Sequence, residues 1–220
     1  MALILNIETA TRNCSVALSL NGEVIAVREI AAQGYLHAEK LHVFIEECMA
    51  EANKEIKDLN AIAISMGPGS YTGLRIGVSA AKGFCYALGI PLIAVDTLEV
   101  LARNIEVGEG EYLLPMIDAR RMEAYTAIFD SNYNKLRETK AEIITEELFT
   151  ELSGKVHLLG DGAAKCKEVL TDDKFVYHDE ALFPSAKQMC SIAYNKYKIS
   201  DTVDVAYFEP FYLKDFIVNK

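Results

Sequence analysis

The chain passes twice through one series of elements, and that repetition restricts its fold more than any single motif does. In the first pass an apolar run at 3–7 reads as a strand and ends at Glu8. An alternating run at 15–20 meets Asn21-Gly22, and alternation resumes over 23–29. Asn-Gly between two alternating runs marks a hairpin, because both turn positions need positive φ. Leu41, Phe44, Ile45, Cys48, Met49 and Ala52 recur at helical spacing and predict a helix over 36–53. A buried strand at 61–65, a glycine-rich loop, a helix over 72–88 and a strand at 92–95 follow, with Gly89 and Pro91 ending the helix. The second pass begins with a strand at 114–118 that ends in Asp118. Runs at 124–129 and 136–144 flank the turn-rich 130–134. A short helix at 145–152, a strand at 156–159, Gly160-Asp161-Gly162 and a helix over 163–170 complete it.

This order predicts two related α/β lobes, residues 1–105 and 106–220, joined near 106–111. Three antiparallel strands extended by parallel ones, with crossing helices, make an RNase H-like lobe. Two such lobes face to face resemble the actin, sugar kinase and heat-shock ATPase (ASKHA) superfamily. That resemblance implies a cleft in which the acids ending the first strands face ATP and metal. Here Glu8, Asp118, Arg120, Gly160 and Gly162 occupy those positions and form a candidate vestigial nucleotide cleft; no cofactor and no hydrolysis are expected, with ATP or ADP binding as the alternative. Glu8 is longer than the aspartate usual there and would crowd a phosphate-bound metal. Arg120 and Arg121 stand where they meet phosphate or simply neutralise Asp118. A helix over 185–198 and the tail Phe211-Tyr212-Leu213-Lys214 end the second lobe, and the tail is expected to cross back to the first.

The loop and helix from Gly67 to Gly83 read GPGSYTGLRIGVSAAKG. A phosphate-binding P-loop needs Lys-Ser or Lys-Thr after its last glycine, and here Leu74-Arg75 follows Gly73. The dinucleotide pattern G-x-G-x-x-G fails as well, since Gly67, Gly69 and Gly73 are two and four apart. Inside a helix, glycine costs about 0.8–1.0 kcal/mol relative to alanine. Gly73, Gly77 and Ala81 form one small stripe, widened by Ser70, Ala80, Gly83 and Ala87, so close backbone approach is the expected reason for them. The stripe meets either this protein's own sheet or another chain. The helix over 36–53 has an apolar arc broadened by Leu36, Val43 and Ala50, and an outer face of Glu39, Lys40, Glu46, Glu47 and Glu51. Two such helices side by side supply half of a four-helix interface.

The formal net charge is −10, which disfavours unaided binding to a phosphate backbone. Five dispersed cysteines form no CxxC pair, which argues against zinc and against a disulfide framework. No basic leader precedes the first apolar run, and no apolar stretch nears the roughly 20 residues of a membrane span. A cytoplasmic protein is expected.

The run GPGSYTGLRIGVSAAKGFCYALGIPLIAVDTLEVLA, after ILNIETATRNCSVAL, resembles the TsaB (YeaZ) family of tRNA threonylcarbamoyladenosine biosynthesis. The resemblance covers the first lobe closely, thins through the second and returns at Pro210 to Lys214. It implies a non-catalytic subunit, not an enzyme alone, required for threonylcarbamoyl transfer to the adenosine beside the anticodon in tRNAs reading codons that start with A. It implies pairing with the catalytic paralogue TsaD through the first-lobe helices, a homodimer when alone, an ATPase partner (TsaE), and tRNA contact only through the complex. The partner surface so implied is Leu36, Lys40, Val43, Glu47, Ala50, Ser70, Tyr71, Gly73, Leu74, Gly77, Val78 and Ala81. In the paralogue a His-x-x-x-His pair holds the metal. The matching positions here are Thr97 and Leu101, and none of His37, His42, His157 and His178 replaces them, so no metal is expected. The alternative reading is a glycoprotease-like metallopeptidase or a small ATP-binding enzyme of the same fold.

Overall fold

A computed structural model describes residues 1–32, 34 and 36–213. Strand β1 (Leu3–Glu8) pairs antiparallel with β2 (Asn13–Leu20), which turns at Asn21-Gly22 into β3 (Glu23–Ala31). Both turn residues have positive φ, 53° and 90°, as the hairpin requires. On its other side β1 pairs in parallel with β4 (Ala61–Ser65), and β4 with β5 (Leu92–Val95), giving the order β3-β2-β1-β4-β5. The second sheet contains β6 (Tyr112–Asp118), β7 (Glu123–Asp130), β8 (Lys135–Ile143), β9 (Val156–Leu159) and β10 (Phe175–His178). Its order, β10-β9-β6-β7-β8, repeats the first strand for strand.

Every residue of β1 is buried, because the first sheet is covered on both faces. On one side lie helix α1 (His37–Glu51) and helix α2 (Tyr71–Leu88), with Leu41, Ile45, Val78 and Ala81 packed on Leu5, Ile7, Val16 and Ile64. On the other, Met189, Ile192 and Ala193 of helix α4 (Ala186–Lys198) meet Ile4, Ala63 and Ile93. Fully burying an aliphatic side chain contributes about 1.5–3 kcal/mol, so a strand buried on both faces anchors the lobe. The short helix α3 (Thr97–Ala102) joins the lobes: Leu98, Leu101 and Ala102 pack with Leu113, Ile117 and Phe129 of the second sheet.

Three features extend or correct the sequence reading. The helix expected at 185–198 within the second lobe packs on the first sheet, since its apolar residues complete the uncovered face of β1, β4 and β5. The tail runs along α2: Lys82 Nζ donates to Ala206 O at 3.0 Å and Phe208 O at 3.1 Å, and Phe211 N donates to Met66 O at 2.7 Å. Lys214 lies outside the described residues. The segments at 145–152 and 163–170 are not α-helices but chains of tight turns. Phe149 has φ of 65°, which stops a right-handed helix, and Leu148 N and Leu152 N bond three residues back. Strand β10 and helix α3, both short, were not expected from periodicity.

Candidate functional site

Two regions carry the candidate residues: the α1/α2 layer and the cleft between the lobes. In α2, Ser70 caps the N-terminus, its Oγ accepting from Gly73 N at 3.2 Å, and Gly89 ends the helix in the left-handed conformation. The stripe of Gly73, Gly77 and Ala81 faces inward. A Cβ on Gly73 would overlap Thr9 O, and one on Gly77 would overlap Thr9 Oγ1. Leu74, Val78 and Ala81 are at most 5% exposed. These five residues are therefore corrected from partner surface to core: the close approach inferred from the glycines is to the chain's own β1–β2 turn. The loop glycines have a related cause, since a Cβ on Gly69 would overlap Ala10 O, to which Ser70 N donates at 2.7 Å.

The outward residues of the layer are different ones. On α1, Val43, Glu47 and Ala50 are exposed, while Leu36 and Lys40 are half-buried. Glu47 accepts from Arg28 Nε at 2.9 Å. On α2 the outer face carries Thr72, Ser79, Gly83, Tyr86 and Ala87, with Ile76, Ala80 and Phe84 half-buried. Nothing lies within 4 Å of a Cβ built on Gly83. The ring of Phe84 stands 6.1 Å from that of His42, so the helices lie side by side and present one surface. A second run of small residues at 79, 80, 83 and 87 was the signal for this face, and the sequence reading merged it with the inner stripe.

The cleft, of about 540 Å³, is lined by the loop at Gly69, Ser70 and Tyr71, by Asp118, Arg120 and Asp161, and by tail residues Phe211 to Leu213. Asp118 and Arg120 are thus on its wall. Lys165 Nζ bonds the Asp118 carboxylate, Arg120 N donates to Asp118 Oδ1 at 3.1 Å, and Asp118 N donates to Asp161 Oδ1 at 3.0 Å. Burial raises the Asp161 carboxyl above its usual range, and the Asp118 charge adds to that rise. Glu8 is corrected: it is fully buried behind the wall. Its Oε1 accepts from Ala10 N at 2.6 Å and Ser65 Oγ at 3.0 Å, yet loss of water outweighs both bonds and pushes the carboxyl up to about 7. Gly160 and Gly162 also lie off the lining. Gly160 has φ of 105° and no room for a Cβ beside Met116 O, and Gly162 abuts the backbone of Ile117. Packing on β6 accounts for both glycines.

Thr97 Oγ1 accepts from Gly67 N at 3.0 Å, and Leu101 is fully buried between the lobes. Both side chains hold structure, and neither is a metal ligand. His37 is a core residue whose Nε2 meets Thr11 O at 2.8 Å. His157 and His178 contact each other at 2.9 Å, with Glu111 at 3.1 Å from His157. Among the described residues no three His, Cys, Asp or Glu side chains converge as a metal would need.

Two lobes of repeated topology surround the cleft. An activator of 2-hydroxyisocaproyl-CoA dehydratase from Clostridium difficile, solved with ADPNP, shares this fold at a TM-score of 0.52 and 9% identity, covering 90% of this chain and 97% of that one. The family model for TsaD, tRNA N6-adenosine threonylcarbamoyltransferase, matches residues 26–218. The tRNA threonylcarbamoyladenosine biosynthesis protein TsaB of Escherichia coli is 33% identical, over 99% of this chain and 96% of its own length. The structure of YeaZ from Pseudomonas aeruginosa superposes with a TM-score of 0.86 at 25% identity, covering 97% of this chain and all of that one. The chain belongs to the TsaB family.

Proposed function

We propose that this chain is the non-catalytic, dimerising subunit required for threonylcarbamoyl transfer to the adenosine beside the anticodon of tRNAs reading codons that start with A. It binds and activates a TsaD-type catalytic subunit, works with a TsaE-type ATPase, and pairs with itself when alone. The carrying observation is the outer α1/α2 surface, which exposes Val43 and Ala50 on α1 and Gly83 and Tyr86 on α2, with open space above Gly83. A partner helix can approach the backbone there as closely as α2 itself approaches Thr9 on its inner side.

The chain works with neither metal nor nucleotide of its own. Lys165 holds Asp118, and Glu8 is sealed from the cleft, so neither acid is available for a phosphate-bound metal. Thr97 and Leu101 supply no imidazole pair. The cytoplasmic reading is supported by five cysteines that are all free and buried.

The test is a reconstituted transfer assay with catalytic subunit, ATPase, threonylcarbamoyl-adenylate supply and unmodified tRNA, run with and without this chain. Transfer should require the chain, and the chain alone should transfer nothing. Equal transfer without it overturns the proposal. Gly83→Leu should abolish co-purification with the catalytic subunit without lowering the melting temperature.

A further inference from the structure

Two of the four histidines, His157 and His178, stand apart from the cleft and from the α1/α2 surface, and they meet each other. His157 of β9 registers with Val176 of β10, so His178, two residues on, shares its face of the sheet. The rings stack with centroids 5.2 Å apart, and His157 Nδ1 lies 2.9 Å from His178 Nε2. Each outer ring nitrogen meets a carboxylate. His157 Nε2 is 3.1 Å from Glu111 Oε2, and His178 Nδ1 is 3.2 Å from Glu180 Oε1. Four side chains thus form one line of three contacts, Glu111–His157–His178–Glu180.

This line has a fixed proton requirement. The Gly108 N–H holds the Glu111 carboxyl below its usual range, and the residue's own backbone N–H does the same for Glu180. An ionised carboxylate only accepts, so both outer ring nitrogens must carry hydrogen. One inner nitrogen must carry hydrogen and the other must not. Three hydrogens on two imidazoles is one more than a neutral pair holds and one fewer than a doubly charged pair holds. A neutral pair forfeits one of the three bonds. A doubly charged pair sets N–H against N–H across 2.9 Å and stacks two cations. Loss of water lowers His157 below the ordinary imidazole range against the pull of Glu111, so His157 is the neutral ring. The other charges nearby are Lys155, with Nζ 3.9 Å from Glu111 Oε1, and Asp179, which is paired with Lys167.

The line lies where the chain passes between the lobes. Glu111 ends the linker from α3 into β6, and its Oε2 also accepts from Gly108 N at 2.8 Å. His178 ends β10, where the chain leaves the second sheet for α4 on the first. Ala181 N donates to His178 O at 3.1 Å. Asn104 then donates to Phe183 O at 2.9 Å and Asn13 to Pro184 O at 3.0 Å, which ties this return to the first lobe.

We propose that Glu111, His157, His178 and Glu180 are a proton-controlled clasp on the two crossings between the lobes, closed while the imidazole pair holds three protons and opened by a fourth. Below the ordinary imidazole value of about 6.5, the opened pair takes the fourth proton and the closed pair does not. Closure is therefore lost as pH falls. Glu8 in the first lobe acts with the opposite sign over an overlapping window, so the clasp is read locally and not from global stability.

The experiment is hydrogen exchange of the full chain at about pH 6.5 and about pH 5, corrected for the intrinsic pH dependence of exchange. Peptides spanning 107–112 and 176–181 should lose protection about tenfold at the lower pH, relative to peptides from β1 and β4. His178→Gln should remove that difference, because an amide offers both a donor and an acceptor and meets His157 Nδ1 in either protonation state. Imidazole nitrogen shifts of the unaltered chain decide the matter without a substitution: one ring should be charged while the other stays neutral, with the second charging only at lower pH. Equal protection at the two pH values, an equal loss in His178→Gln, or two rings that titrate independently overturns the proposal.

Discussion

The two sheets share one strand order and differ in what covers them. In the first, β1 is buried over its whole length between α1/α2 and α4. In the second, β8 alternates between half-buried and exposed residues over most of its length, with Leu136 and Ile143 at 55% and 66% exposure. One face of the second sheet packs against irregular turns carrying Ile144, Phe149, Cys166 and Leu170. Strand pairing therefore determines topology, and the covering layer determines use. Long helices present a regular outer surface for a partner, whereas tight turns present fixed carbonyls that the lobe itself must satisfy.

The largest test of that contrast lies within one helix. Gly77→Leu places a side chain against Thr9 Oγ1 and Ile64 Cδ1 and should destabilise by about 3 kcal/mol or more, read as a fall in urea midpoint. Gly83→Leu, on the open face, should not lower that midpoint, and by removing a helix-interior glycine it should raise stability by up to about 0.8 kcal/mol. Equal falls would mean that the inner and outer stripes are not distinct.

The strand-end acids provide the next test, one per lobe. Below pH 4.5 the folded and unfolded chains both hold the Glu8 proton. Between there and about 7 the unfolded chain releases it while the folded carboxyl keeps it, so stability falls as pH rises through this window. The total is about 3 kcal/mol at 1.36 kcal/mol per pH unit. Glu8→Gln should abolish that slope and be the more stable form above the window. Asp118 is exposed and paired with Lys165, and Asp118→Asn should cost at most about 1 kcal/mol. A steep pH dependence surviving in Glu8→Gln would assign the buried proton elsewhere.

A smaller effect concerns the turns that replace helices in the second lobe. Lys174 Nζ donates to Phe149 O at 2.8 Å and Leu152 O at 3.0 Å, supplying a donor to carbonyls to which no α-helical N–H donates. Lys174→Met should lower stability by about 1–2 kcal/mol. Hydrogen exchange should report faster opening across 145–152 with the first lobe unaffected.

Much of this was legible in the chain. Alternation found the antiparallel strands, Asn21-Gly22 found the first hairpin, and Gly89-Pro91 found the end of α2, because each depends on neighbours in sequence. The turns at 145–152 were misread as helix, since apolar spacing there satisfies a helical pattern and the left-handed backbone of Phe149 leaves no compositional sign. The outer face of α2 was missed because two small stripes on one helix look alike until something packs on one of them.

By itself, the sequence determined the series of strands, the need for close approach along α2, and the absence of a histidine pair at Thr97 and Leu101. Only the tertiary structure decided which stripe faces inward, that Glu8 is sealed while Asp118 is not, and that α4 returns to the first sheet. The physical reason is range. Backbone preference and periodicity act over a few residues, whereas desolvation and charge depend on groups that the chain brings together from more than a hundred residues apart, as with Glu29 and Ser185.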